Sequence, residues 1–165
     1  MLIHQNINGS NFFNRSWLEF KVGFNDSRGN YWLGNELLHQ LTKEARYKLQ
    51  CHIQARSNDI TYVAKYGIFL VGTEANNYIL RVAHYSGNAG DSLSHHNGMM
   101  FTTYDRDNDL RSDNCAAVCA GGFWYGECYR AGMTVMIGRG GDFSWYDLPQ
   151  SVGRQMTSAS MWLTC

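Results

Sequence analysis

The chain reads as an α+β protein, with strands in the middle of the chain, a few short helices and a loop-rich, irregular C-terminal half. Three observations carry that reading. Tyr47, Leu49, Cys51 and Ile53 alternate with Lys48, Gln50, His52 and Gln54, the period-two pattern of a half-buried strand. Ser16-Trp17-Leu18-Glu19 has the form of a capping box, in which hydroxyl and carboxylate satisfy each other's backbone amides. Finally, 17 glycines and 14 asparagines against a single proline, Pro149, supply the positive-φ positions of many tight turns.

The elements follow in order. The first helix starts at Ser16, runs to about Val22 and stops at Gly23, where a glycine ends it. A second short helix follows Asn35 through Leu41, with Leu37, Leu38 and Leu41 on one face and Asn35 as a candidate cap. Strands are expected from Tyr47, over Thr61–Val71 and over Tyr78–Tyr85, with turn residues Gly72–Asn77 between the last two. Beyond Tyr85 the chain turns to Gly, Asn, Asp and Ser, broken by the short segments Met99–Thr103, Met133–Ile137 and a last strand near Met161–Leu163. No repeat and no linker separates these segments, so one domain is expected.

Composition excludes several function classes. With 165 residues the chain is long enough to bury a real core. Lys+Arg and Asp+Glu balance at 14 each, and only 17% of residues are charged. That is no disordered acidic or basic tail and carries no electrostatic footprint for nucleic acid. No apolar run approaches the roughly 20 residues of a membrane helix, so no direct membrane insertion is expected. The first residues show neither the basic nor the apolar region of a signal peptide. Sequons at Asn8, Asn14 and Asn25 are candidate glycan acceptors in a secreted protein.

Asp105, Asp107 and Asp109 place carboxylates at alternate positions, followed by Arg111, Asp113 and Cys115. Calcium takes six to eight oxygens from carboxylates, backbone carbonyls and water, and a D-x-D-x-D loop can wrap one ion. An EF-hand fails, because Leu110 stands where glycine is required and Ala116 where glutamate is. The residues alone leave a calcium loop and a solvated acidic turn both open. Cysteines lie at 51, 115, 119, 128 and 165. Zinc is disfavoured, because paired C-x-x-C spacing and a nearby histidine are absent. A Cys115–Cys128 disulfide is the better reading, closing a loop worth roughly 3 kcal/mol. Gly90-Asp91-Ser92-Leu93 spells an esterase signature, but the late D-x-x-H base is missing and the last histidine is His96. A Gly/Asp/Ser turn is the reading kept, with His84, His95 and His96 as packed or hydrogen-bonding residues and no catalysis expected.

Six motifs then occur in order: Trp17–Phe24, Tyr31–Glu36, Ala89–Leu93, His96–Met99, Asp105–Asp109, and Cys115-Ala116 through Trp124-Tyr125 to Cys128. Together they make the stretch from about Asn8 to Cys128 similar to the fibrinogen-related domain of the fibrinogen β and γ chains, ficolins, tenascins, angiopoietins and many invertebrate lectins. The resemblance implies a fibrinogen C-terminal-like fold, a central, mainly antiparallel sheet with short helices and a loop-rich calcium-binding C-terminal subdomain. It implies calcium held by the side chains of Asp107 and Asp109 and the backbone carbonyls of Arg111 and Asp113, with Asp105 just outside and the Cys115–Cys128 disulfide alongside. It further implies a cis peptide at Glu127–Cys128, in a ligand site formed by Glu127, Cys128, Tyr129 and Arg139. Phe123, Trp124, Tyr125 and Tyr129 are candidates to stack on a sugar or anchor a peptide, Trp124 being expected rather to pack under the loop.

The chain also departs from the family pattern. Tyr129 replaces the usual histidine after the second cysteine, Ala131-Gly132-Met133 replaces Leu-Asn-Gly, and Cys119 replaces an aromatic common in members that bind acetyl groups. The calcium loop is thus kept while the pocket chemistry has changed. In the family fold the strands carrying Cys51 and Cys165 share one sheet, so a Cys51–Cys165 bridge is a further expectation, with Cys119 left over; the alternative makes Cys51 a small core residue. The family's N-terminal subdomain is expected to be missing. Residues 1–165 would be a truncated domain: a helix and sheet part over about 1–86, a calcium and ligand-binding subdomain over about 87–160, and a returning strand over about 160–165. The resemblance implies a secreted, calcium-binding, lectin-like glycoprotein domain for glycan or extracellular protein ligands, of the kind found in innate immunity and cell adhesion, as part of a homo- or hetero-oligomer. The alternative is a structural or adhesive module of a matrix or surface assembly with a vestigial pocket.

Overall fold

The computed structural model describes residues 1–44, 46–138 and 141–165. Seven strands form one sheet: β1 (Leu2–Asn6), β2 (Phe24–Asn25), β3 (Tyr31–Trp32), β4 (Lys48–Ala55), β5 (Thr61–Val71), β6 (Leu80–Gly87) and β7 (Met156–Thr164). Their order is β2-β3-β1-β7-β4-β5-β6, and every pairing is antiparallel. Both chain ends therefore lie mid-sheet, β7 pairing with β1 on one side and with eight residues of β4 on the other. The last strand is longer than the short segment expected near Met161–Leu163, because ladders on both sides satisfy its backbone groups.

Helix α1 (Trp17–Val22) has the expected capping box: the Ser16 hydroxyl accepts from the Glu19 amide, and the Glu19 carboxylate accepts from Ser16 N. Gly23 ends it at φ 98°. In α2 (Asn35–Thr42) the cap is Gly34, not Asn35, because the Asn35 side chain is spent on the Trp32 indole N–H at 3.0 Å. Gly34 has φ 111°, and a Cβ there would sit 2.7 Å from the Val22 carbonyl oxygen; only glycine lets the two helices meet this closely. Leu38 of α2 is buried, but Leu37 is exposed and does not share its face.

One face of the sheet buries Leu49, Cys51, Ile53, Tyr66, Met161 and Leu163 against the loops that follow β6. Across this layer runs a chain of rings: Phe20 packs on Trp32 and Phe101, these two on each other, and both on Trp124, at 5.1–5.9 Å between centres, tilted or edge-on, the arrangement aromatic quadrupoles favour. The expected strand at Tyr78–Tyr85 starts two residues later, since Asn77 and Tyr78 take left-handed φ of 53° and 50°. Met99–Thr103 and Met133–Ile137 are not strands. Their amides bond instead to scattered carbonyls: Thr102 to Phe123, Met136 to Cys119 and Ile137 to Gly9. β1 escapes the period-two reading because two of its inward positions are polar, His4 and Asn6, both fully buried.

Candidate functional site

The acidic loop leaves the sheet layer after Thr103 and ends at Asn114, which caps α3 (Cys115–Cys119) by accepting the Ala117 amide at 3.0 Å. Within it the three aspartates separate. Asp105 faces away, its Oδ1 accepting from Trp17 N at 2.9 Å and Thr103 Oγ1 at 2.8 Å, so it anchors the loop to α1. Asp107 Oδ1 accepts from Asp109 N at 3.2 Å. Asp109 accepts from Arg111 N at 2.8 Å and from Cys115 N at 2.9 Å. Partial burial, reinforced by the Asp107 carboxylate beside it, raises the Asp109 pKa despite those bonds. Asp113 is instead gripped by the Arg111 guanidinium, Nε to Oδ1 at 2.6 Å and Nη2 to Oδ2 at 2.9 Å, which holds its carboxyl below the usual range.

This arrangement suits a hard cation in a specific way. Among the described residues no three His, Cys, Asp or Glu side chains gather as a metal cage. Two carboxylates converge at Asp107 and Asp109, and the carbonyls of Arg111 and Asp113 accept no hydrogen bond among the described residues. Carboxylates mixed with free carbonyls are what calcium takes, and two crowded anions gain most from a positive charge.

The Cys115–Cys128 disulfide, Cα atoms 5.3 Å apart, ties the acidic loop to the segment Gly126–Ala131. No peptide bond among the described residues is cis. The Glu127–Cys128 bond is therefore trans, against the expectation from the resemblance, and the tight reversal is made at Cys128 itself, with φ 68°. The same segment is held from behind by His96. Its Nδ1–H donates to the Trp124 carbonyl at 2.8 Å, and Nε2 accepts from the amides of Arg130 at 3.1 Å and Ala131 at 3.0 Å. That bonding pattern fixes the neutral tautomer, and full burial pulls the ring's pKa down to about 4.

Glu127, Cys128 and Tyr129 form the wall between two clefts. One, of about 320 Å³, is completed by His95, Met99, Leu110 and Arg130. The other, of about 540 Å³, is completed by Arg111, Cys119, Asp142 and Tyr146 among others. Tyr129 is fixed by its hydroxyl, which donates to the Asp142 carbonyl at 2.9 Å and accepts from the Asp142 amide at 2.6 Å. Arg139 lies outside the described residues. Phe123, Trp124 and Tyr125 cannot touch a ligand, since all three are buried and the Trp124 indole N–H is bonded to the Tyr78 carbonyl. Met99, Leu110, Arg130 and Tyr146 line the clefts without any local sequence signal, because loops remote in sequence deliver them.

Ser92 is buried, donating to Asp147 Oδ2 at 2.8 Å and accepting from Asp147 N at 2.9 Å. The esterase-like stretch thus staples two loops together. The Cys51–Cys165 bridge does not form: both are free, Cys51 buried and Cys165 exposed. Cys51 stands opposite Met161, four residues short of Cys165, and about 13 Å of strand exceeds a disulfide's reach of about 7 Å. Cys119 is free too, its thiol pushed up to about 11 by burial. The sequon residues Asn8, Asn14 and Asn25 are all exposed.

Comparison with known proteins gives this geometry its family. Residues 1–154 match the family described as the C-terminal globular domain of the fibrinogen beta and gamma chains. The chain is 41% identical to tenascin of Gallus gallus over 82% of its own length, 35% to the protein scabrous of Drosophila melanogaster over 96%, and 41% to human ficolin-3 over 76%. It spans only 7%, 20% and 42% of those proteins, respectively. The fibrinogen-like globe domain of human ANGPTL2 superposes with a TM-score of 0.85 at 34% identity, covering 99% of this chain and 78% of that one. A lamprey fibrin D-dimer, solved with the peptide Gly-His-Arg-Pro-amide, shares the fold at 24% identity and a TM-score of 0.81, over 98% of this chain and 60% of that one. The chain belongs to the fibrinogen C-terminal domain family.

Proposed function

We propose that this domain is a calcium-supported recognition module that binds a glycan or protein ligand in the clefts either side of Glu127–Tyr129. The protein is extracellular, as are tenascin and ficolin-3, and no described helix is long and apolar enough to cross a membrane. The observation that carries the proposal is the wiring of the cleft wall. Cys128 is bonded to Cys115, whose amide is held by Asp109, and Leu110 N donates to the Gly126 carbonyl at 3.1 Å. Calcium, when bound, supplies positive charge to the Asp107–Asp109 pair. Steadying that pair steadies the cleft wall in turn, which reduces the ordering a ligand must impose. The pocket chemistry of this chain favours a ligand with an apolar portion beside Met99 and Leu110 and a polar portion toward Arg130 and Glu127.

Isothermal titration of the oxidised domain with calcium, alongside Asp107→Ala and Asp109→Ala, tests the reading, followed by glycan and extracellular-protein screens with and without calcium. Binding that needs both aspartates, and ligand capture that needs calcium, is the expected outcome. Calcium silence in the native chain would overturn it. A purely structural module is favoured by one observation, the burial of Phe123, Trp124 and Tyr125, which leaves Tyr129 as the ring on the shared wall. Calcium binding with silent ligand screens would point there.

A further inference from the structure

We propose that the cleft formed by Arg56 and Arg154 binds a sulfated polysaccharide. None of the residues that line it belongs to the clefts flanking Glu127–Tyr129. The two arginines are brought together by the end of the β4–β7 ladder. The register slips between Gln54 and Ala55, so that Ala55 faces Met156, and the Arg56 amide donates to the Gln155 carbonyl at 2.9 Å. The Arg154 carbonyl in turn accepts from Trp145 N at 2.9 Å. Both backbones are therefore anchored.

Both guanidiniums are also positioned, and by neutral groups. Arg56 Nη1 donates to Gln155 Oε1 at 3.3 Å and Nη2 to the Met156 carbonyl at 3.4 Å. Arg154 lies with its Cζ 4.6 Å from the centre of the Tyr146 ring. Neither forms an ion pair among the described residues. Asp59, in the turn after Arg56, has its Oδ1 on the Gln54 side-chain amide at 2.6 Å. The space between them, about 370 Å³ lined by Arg56, Ser57, Val152, Gly153, Arg154 and Gln155, contains no acidic side chain. Arg130 also lies over Tyr146, at 5.8 Å, but is neutralised by Asp147 at 2.7 Å and is left out of the site.

Two charges without counter-charges, already restrained by a ring and by carbonyl oxygens, lose little further freedom on meeting an anion. Each guanidinium keeps N–H groups in the planar fork that matches sulfate or phosphate oxygens. A chain bearing repeated oxyanions engages both arginines at once, whereas a small monoanion engages one. An anionic lipid headgroup presents similar oxygens, but the extracellular setting of the family favours a polysaccharide as their source.

The test is affinity for a heparin-derived octasaccharide at about 50 mM NaCl and over a salt series. It compares the native domain, the double variant Arg56→Gln/Arg154→Gln, and a charge-matched control, Lys48→Gln/Lys65→Gln, on the sheet, each checked for native circular dichroism. The proposal expects the arginine variant to lose about tenfold or more in affinity, with a salt slope shallower by about 1 to 2, while the lysine control stays near native. Equal losses in the two variants, or no binding by the native domain, would overturn it. So would retention on phosphatidylserine vesicles that depends on the arginines without a matching effect on the octasaccharide.

Discussion

Replacing His96 by glutamine should remove a specific part of this domain's acid sensitivity, and the structure sets the size. His96 and His4 are both fully buried, with pKa values pulled from 6.5 down to about 4 and about 3 by desolvation. In the unfolded chain both titrate near 6.5. Because the folded values lie below the unfolded ones, the unfolded state takes up protons first as pH falls. Stability is therefore intact above about pH 6.5 and is lost progressively on acidification toward the folded values. Between pH 7.5 and 5.0 each ring covers about 1.5 units at 1.36 kcal/mol per unit, or about 2 kcal/mol, and the pair about 4. His52, half-buried and lowered in the same direction, contributes equally to both proteins and cancels. Urea titrations of native and His96→Gln domains at the two pH values measure the difference directly. The variant starts about 1–3 kcal/mol less stable at pH 7.5, because the Trp124, Arg130 and Ala131 backbone groups lose well-placed partners. Its further loss at pH 5.0 should be about 2 kcal/mol smaller than that of the native domain. A pH-dependent loss matching the native one within about 0.5 kcal/mol would refute the assignment of His96 as a buried neutral acceptor.

Three other outcomes are expected, the first resting on the proposed calcium site. A chelator should lower the melting temperature of the calcium-loaded native domain and leave Asp109→Ala unmoved, as differential scanning calorimetry would read. Gly90→Ala should destabilise by more than about 2 kcal/mol in urea, since an added Cβ would collide with the Asp147 carbonyl oxygen at a φ of 79°; an effect below about 0.5 kcal/mol would mean that the 90–147 contact is not tight. Alkylation of the native protein followed by non-reducing peptide mapping should label Cys165 fast and Cys51 and Cys119 only on unfolding, with Cys115 linked to Cys128.

What could be read in advance divides along a physical line. α1 was legible because its capping box and terminal glycine act within eight residues, and β4 and β5 because one buried face imposes a period of two. The Cys115–Cys128 pair and the Asp107–Asp109 loop were legible because short loops bring close residues together whatever surrounds them. Local sequence offers Asn35 as a candidate cap but does not show that Trp32, in another element, takes its carboxamide. β1 stayed hidden because buried His4 and Asn6 look like surface residues in a pattern of polarity. Between a Cys51–Cys165 bridge and a small core residue at Cys51 the sequence does not choose, because register, to within four residues, is set by the whole β4–β7 ladder.

The sequence by itself determined the family, the α+β class, the acidic loop and the position of the disulfide, since these depend on local chemistry and on motifs kept in order. Only the tertiary structure decided which aromatic rings are sealed in the core, that Ser92 is locked to Asp147, that His96 holds up the cleft wall, and that Arg56 and Arg154 share a cleft. The last three of those depend on segments 28 to 98 residues apart, meeting through packing. Contact energies are short-ranged, so nothing in either segment alone records its partner.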